Sequence, residues 1–230
     1  MPATPRHPAP EQLDDPRVDR RTAVASGEDI ARCNRWLGGL RALQAECRSL
    51  WSQLPTPCTV LDVACGVGDL GATVVREGAR HGVEVRVVAL DRRHELAQRA
   101  AHRGARAVVA DIDALPLPAA SVDVAICGQF LHHLDAARIV RLLSELGRVA
   151  RHAVLVSDLE RSRLAALGFW LASWPLALHP ISRHDGLISV RNGFTAAELR
   201  ALLEDATGQP VPVAARFPYR LTAAWVPRPP

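Results

Sequence analysis

The sequence predicts an α/β protein built on one doubly wound, mostly parallel sheet, and three observations carry that prediction. A run of apolar and β-branched residues, Thr59, Val60, Leu61 and Val63, turns on Gly66 and Gly68 into a helical pattern. Strand-like runs then alternate with helical patterns through the middle of the chain. Acids stand at the ends of successive runs, at Asp62, Asp91, Asp111 and Asp158. Alternation of this kind makes parallel strands joined by crossover helices, with the carboxyl ends of the strands forming the ligand edge. The expected architecture is Rossmann-like, a seven-stranded mostly parallel sheet with an antiparallel C-terminal hairpin strand, a helical N-terminal extension and a lid.

Composition sets the bounds. A chain of 230 residues, 48% of them apolar, fits one domain with a real core. All 28 basic residues are arginine, and the net charge of +4 is mild. The arginines are scattered and aromatics make up only 4% of the chain, so no interleaved nucleic-acid surface is expected. The cysteines, Cys33, Cys47, Cys58, Cys65 and Cys127, are odd in number and form no C-x-x-C pair. With no signal-peptide pattern before them, they read as reduced thiols in a cytoplasmic protein. The histidines and cysteines lack metal-ligand spacing, so no metal is expected.

The glycine corner admits two ligands. Gly66-x-Gly68-x-x-Gly71 satisfies the dinucleotide fingerprint. A dinucleotide, however, brings a pyrophosphate to the helix N-terminus. Asp62 ends the strand here and Asp69 opens the helix, and both would repel it. They suit a ligand with positive charge and no phosphate, such as S-adenosylmethionine (SAM), which carries an ammonium and a sulfonium. Asp91 ends the second strand about 20 to 25 residues beyond the glycines, where a carboxylate accepts from ribose hydroxyls.

The remaining elements follow in order. Residues 1–26 are expected to be largely disordered or irregular, and residues 27–54 to form a helical cap in which Asn34 and Arg35 reach toward the cofactor carboxylate. Residues 55–230 form the main domain, with a lid insertion at about 160–193. Crossover helices are expected at 72–81 and 92–101, further strands at 83–90, 107–110, 121–127 and 152–157, and an amphipathic helix bearing Ile139, Leu142, Leu143, Leu146 and Val149. Residues 161–178 read as a helix apolar nearly all round, broken by Pro175 and too short to span a membrane. It suits a lid over a hydrophobic acceptor or the contact of a homodimer. Residues 179–186 show neither periodicity and read as a loop, with His184 and Asp185 facing a substrate. Thr195 and Glu198 make a capping box for the last helix, and residues 211–217 and 219–226 form the closing hairpin.

Three stretches resemble a known family. Asp62-x-x-x-Gly66-x-Gly68 resembles the first motif of class I SAM-dependent methyltransferases. Asp111 and Ile112 resemble their adenine site, where an acid accepts from the exocyclic amine and an apolar residue covers the ring. Leu131-His132-His133-Leu134-Asp135, following the fourth strand, looks like the small-molecule methyltransferases of ubiquinone and menaquinone type and their aromatic polyketide and quinone relatives. The resemblance implies SAM as cofactor and S-adenosylhomocysteine as product. It implies cofactor contacts at Arg35, Asp62, Ala64, Gly66, Gly68, Asp91, Arg92, Asp111, Ile112 and Gln129. It implies a proton acceptor at His132 or His133, with Asp158 and His184 as further catalytic candidates. The implied acceptor is a phenol, hydroquinone or polyketide-like molecule methylated on oxygen in secondary metabolism, or on carbon in the alternative. An NAD-dependent oxidoreductase leaves Asp62, Asp111 and the hairpin unexplained. An RNA or protein methyltransferase would prefer a charged groove to an apolar lid, and a non-catalytic SAM-binding protein would bind without turnover.

Overall fold

The computed structural model describes residues 9–228. Five strands run parallel: β1 (Cys58–Val63), β2 (Val85–Asp91), β3 (Arg106–Val109), β4 (Val122–Gly128) and β5 (Ala150–Leu159). The last two, β6 (Val213–Arg216) and β7 (Arg220–Trp225), form a hairpin whose β7 lies antiparallel against β5. The sheet order is β3-β2-β1-β4-β5-β7-β6. The reversal of winding between β1 and β4 opens a crevice at their carboxyl ends.

The continuous apolar run of β1 follows from burial on both faces. Leu61 and Val63 join one core with Ile139, Leu142, Leu143 and Leu146 of α5 (Ala136–Val149) and Leu199 and Leu203 of α8 (Ala196–Thr207). Val60 joins a second core with Leu43 of α2 (Gly39–Cys47) and Leu70 and Val74 of α3 (Asp69–Arg80). Asp135 caps α5 by accepting from the Arg138 N–H, and the Thr195/Glu198 capping box opens α8 as its spacing predicts. A further crossover helix, α4 (His94–His102), packs on β2 and β3.

Three expectations are corrected. Helix α1 (Arg20–Trp36) begins inside the stretch expected to be irregular, where Asp19 accepts from the Arg21 and Thr22 N–H groups. The buried face of α1 is Ala23, Ser26, Gly27, Asp29, Cys33 and Asn34, so large-apolar periodicity could not announce it. Residues 9–19 form a strap packed on the domain with Glu11 buried, whereas residues 1–8 lie outside the described residues. Second, the apolar helix α6 spans Arg163–Ser173 and ends before Pro175. Third, the expected loop at 179–186 is part of helix α7 (Pro180–Asn192), with Pro180 in its first turn and the His179 ring accepting from the Ile181 N–H. Its buried face is Ser182, Asp185, Val190 and Asn192, again mostly polar.

Helix α6 turns Ala165 inward and leaves Leu164, Leu167, Trp170, Leu171 and the following Trp174 exposed. Among the described residues no helix is long and apolar enough to cross a membrane.

Candidate active site

The site begins where β1 ends. Ala64, Gly66 and Gly68 all take positive φ, of 54°, 52° and 79°. At Gly66 a Cβ would point into open space, leaving the backbone bare toward the cleft. At Gly68 a Cβ would stand 2.7 Å from that of Ala100, so only glycine lets α4 approach the turn. The turn is pinned from both sides: Asp62 Oδ2 accepts from the Gly71 N–H at 3.1 Å, and Asp91 Oδ2 from the Gly66 N–H at 2.9 Å.

A cleft of about 340 Å³ opens over this turn. Ala64, Gly66, Asp91, Arg92, Asp111, Ile112 and Gln129 line it, as do Asn34 and Asp69. Asp111 also accepts from the Asp113 N–H at 3.0 Å, so it closes its own turn at the cleft wall. Asn34 donates to Asp69 at 2.9 Å and accepts from the Gln129 amide, a polar chain across one end of the cleft.

Two sequence candidates stand elsewhere. Arg35 is exposed and its guanidinium lies 5.6 Å over the Trp36 ring, while Asn34 faces the cleft instead. Asp62 stands behind the turn with Oδ1 buried and without a hydrogen-bond partner. Burial, with Asp69 and Asp91 nearby, pushes Asp62 up to about 8. Burial raises Asp69 and Asp91 as well. Three buried carboxyls held above their ordinary range would gain from a positively charged partner. The ammonium and sulfonium of SAM would supply it, the orphaned Asp62 oxygen fits an ammonium partner, and the bare Gly66 backbone leaves room beside it. Cys65 lines the cleft, but burial raises its thiol far above the usual range and leaves it unsuited to nucleophilic work. Cys127 is fully buried and its thiol is raised likewise.

A second cavity of about 250 Å³ adjoins the first. Leu13, Ile30, Gln129 and His133 line both, which makes them the junction. Gln129 holds φ of 54°, a left-handed backbone at the point where the two cavities meet. Apolar walls come from Leu37, Leu159, Ala165, Phe169, Leu178 and Val190.

His132 is buried on this wall. Its Nδ1 lies 2.6 Å from Asp158 Oδ1, and its Nε2 lies 3.6 Å from Glu11 Oε1. Burial opposes charge on the imidazole, but Asp158 and Glu11 outweigh it and raise His132 to about 9. Asp158 is correspondingly lowered, since His132 overcomes the burial penalty. His133 packs against His132 and Phe130, and its Nδ1 lies 3.0 Å from Asp14. His184 is corrected: it is exposed beside Asp185, and Asp185 rather than His184 reaches the cavity.

Glu11, His132 and His133 offer donor atoms within 4.8 Å of one another, the one such group found among the described residues. Glu11 comes from the strap, far from the histidines in sequence, so an argument from ligand spacing does not reach this group.

Sequence reading missed Glu11, Asp14 and Arg220. Glu11 and Asp14 sit near a proline-rich start with no local pattern, and Arg220 sits in a strand where an isolated arginine reads as surface. The strap that delivers Glu11 and Asp14 is fastened from both cavities. Asp185 accepts from the Gln12 and Leu13 N–H groups, each at 2.9 Å, and Arg93 donates to the carbonyls of Leu13, Asp15 and Val18.

Residues 60–153 match the model of a methyltransferase domain family. No curated protein matches the chain. Among solved structures, a SAM-dependent methyltransferase from Aquifex aeolicus is similar at 21% identity and a TM-score of 0.54, with 74% of this chain and 82% of that one covered. The magnesium protoporphyrin IX methyltransferase of Synechocystis, with bound S-adenosylhomocysteine, is similar at 18% identity and a TM-score of 0.54, covering 83% and 84%. CalO1, a methyltransferase in calicheamicin biosynthesis, is similar at 24% identity and a TM-score of 0.53; 80% of this chain covers 54% of that one. The matched segment, less than half of the chain, holds the glycine turn, Asp91 and the histidine turn, and the likeness to these solved structures is one of fold. Residues 60–153 thus carry a methyltransferase domain.

Proposed function

We propose that this enzyme transfers the methyl group of SAM to a hydroxyl oxygen of a small hydrophobic or aromatic acceptor, a phenol, hydroquinone or polyketide-like molecule. The observation that carries the reading is the Asp158–His132 pair, set on an apolar cavity that adjoins the cofactor cleft. When bound, SAM supplies an electrophilic methyl carbon on sulfur.

The residues divide the work. Asp91 would hold the ribose hydroxyls, Asp111 and Ile112 the adenine, and Asp62 with Asn34 and Asp69 the methionine end. Arg92 ties this side to the strap by donating to Asp14 at 3.0 Å. In its neutral form His132 would take the hydroxyl proton of the acceptor as the oxygen is methylated. Asp158 fixes the imidazole tautomer and stabilises the imidazolium. The walls contributed by α6 and α7 would exclude water and hold the acceptor facing the cofactor cleft.

Calorimetric titration with S-adenosylhomocysteine, followed by turnover on a panel of phenols, tests this. The expected result is tight binding that Asp91→Ala abolishes, and a roughly 100-fold or greater loss of turnover in His132→Ala with cofactor affinity retained. Unchanged turnover in His132→Ala removes the histidine from the mechanism.

A further inference from the structure

Arg220 opens β7, opposite Leu159 of β5, and its side chain lines the acceptor cavity. It is 5% exposed. Its Nε is buried without a hydrogen-bond partner, and among the described residues no carboxylate lies within ion-pair distance of its guanidinium. Burying a guanidinium in this way is costly unless something pairs it.

The acids of the cavity are engaged elsewhere. Asp158 is spent on the His132 ring and on the N–H groups of His132 and Leu159. Glu11 accepts from Ser189, and Asp185 from Gln12 and Leu13. Asp29 takes Arg32 and the His179 N–H. Glu160, the remaining acid of the wall, is partly exposed and makes no ion pair with Arg220. Burial lowers the guanidinium to about 10 against the opposing field of Asp158, which stands nearby without pairing with it, and this still leaves it charged at neutral pH.

We propose that Arg220 recognises an anionic oxygen of the acceptor, so that the molecule methylated here is a hydroxylated aromatic or polyketide acid, with a carboxylate against Arg220 and the reacting hydroxyl toward His132. The planar guanidinium fork matches a carboxylate, and such a charge-assisted pair is strong in an apolar wall. The same pairing discriminates between acceptors. A neutral ester leaves the arginine buried and unpaired, whereas an acid supplies what the protein withholds. The inference rests on reading this cavity as the acceptor site, but its test does not need turnover.

The test is calorimetry on the protein saturated with S-adenosylhomocysteine, using hydroxybenzoates and hydroxynaphthoates paired with their methyl esters. The acids are expected to bind at least tenfold more tightly than the esters. Arg220→Gln is expected to abolish that preference and leave S-adenosylhomocysteine affinity unchanged. Arg220→Lys, which keeps the charge without the fork, is expected to fall between and serves if the glutamine variant does not fold. Absence of acid preference in the wild type, whether both forms bind alike or neither binds, overturns the proposal, as does a preference that survives in both variants. Failure to bind S-adenosylhomocysteine at all would instead strike the cofactor assignment.

Discussion

At the scale of single residues, the charge balance of two buried groups makes measurable predictions. His132 is held at about 9, so at neutral pH the free enzyme carries it protonated and it cannot act as a base. The apparent second-order rate is therefore expected to rise with pH until it levels near 9, and Asp158→Asn is expected to move that limb to lower pH while reducing the plateau. The same shift has a stability sign. A histidine raised in the folded state stabilises the fold below its ordinary value near 6.5, and that contribution is lost as pH climbs through about 9. Asp62, at about 8, is mostly protonated at pH 7 in the free protein. An ammonium beside it lowers that value, so SAM binding at pH 7 should release protons, visible as a dependence of the binding enthalpy on the buffer. No proton release would separate Asp62 from the ligand. The strand-end acids were legible because strand, glycine and acid fall in fixed order along the sequence. Asn34 and Arg35 were not separable, since adjacent helical residues point about 100° apart and only the partner, Asp69, says which faces inward.

Among the elements, the strap formed by residues 9–19 is the least obvious from sequence and the most consequential. Its backbone makes only a short turn of its own at Gln12–Asp14, and beyond that Asp185 on α7 accepts from the Gln12 and Leu13 N–H groups while Arg93, just past β2, donates to the carbonyls of Leu13, Asp15 and Val18. Asp185→Ala is expected to free it, weakening cofactor binding by roughly tenfold, about 1.4 kcal/mol. New proteolytic cuts within residues 9–19 would accompany the loss, and an unchanged digestion pattern would show the strap to be held without Asp185. The elements that could be read from sequence are those with one apolar face, such as α5 and α8, or two, such as β1. Helix α7 and the first turns of α1 could not be, because the faces they bury are largely polar and serve to hold other segments rather than to fill a core. The apolar α6 was legible as a helix, but its exposed leucines and tryptophans show that only a narrow side of it meets the cavity.

On the scale of the whole molecule, the sheet provides one ligand edge and the chain builds two adjoining cavities on it. Ligand at 100 times its dissociation constant adds about 2.7 kcal/mol to stability. S-adenosylhomocysteine is therefore expected to raise the melting temperature by roughly 5 to 10 °C in a domain of this size, and NAD is expected to leave it unmoved. Chelation with EDTA is expected to leave turnover intact, because His132 must keep its Nε2 for the proton. Activity lost to EDTA and restored by a divalent ion would turn Glu11, His132 and His133 from a proton relay into a ligand set. Fold class was open to sequence because it rests on alternation along the chain; the second cavity was not, because its walls come from the strap, α1, α6, α7 and the β6–β7 turn, which meet only in space. Leu13 of the strap lines both cavities, flanked by Glu11 over one and Asp14 over the other. One displacement of this strap would uncover both cavities at once. If that displacement paces product release, the first turnover is expected as a rapid burst followed by slower ones.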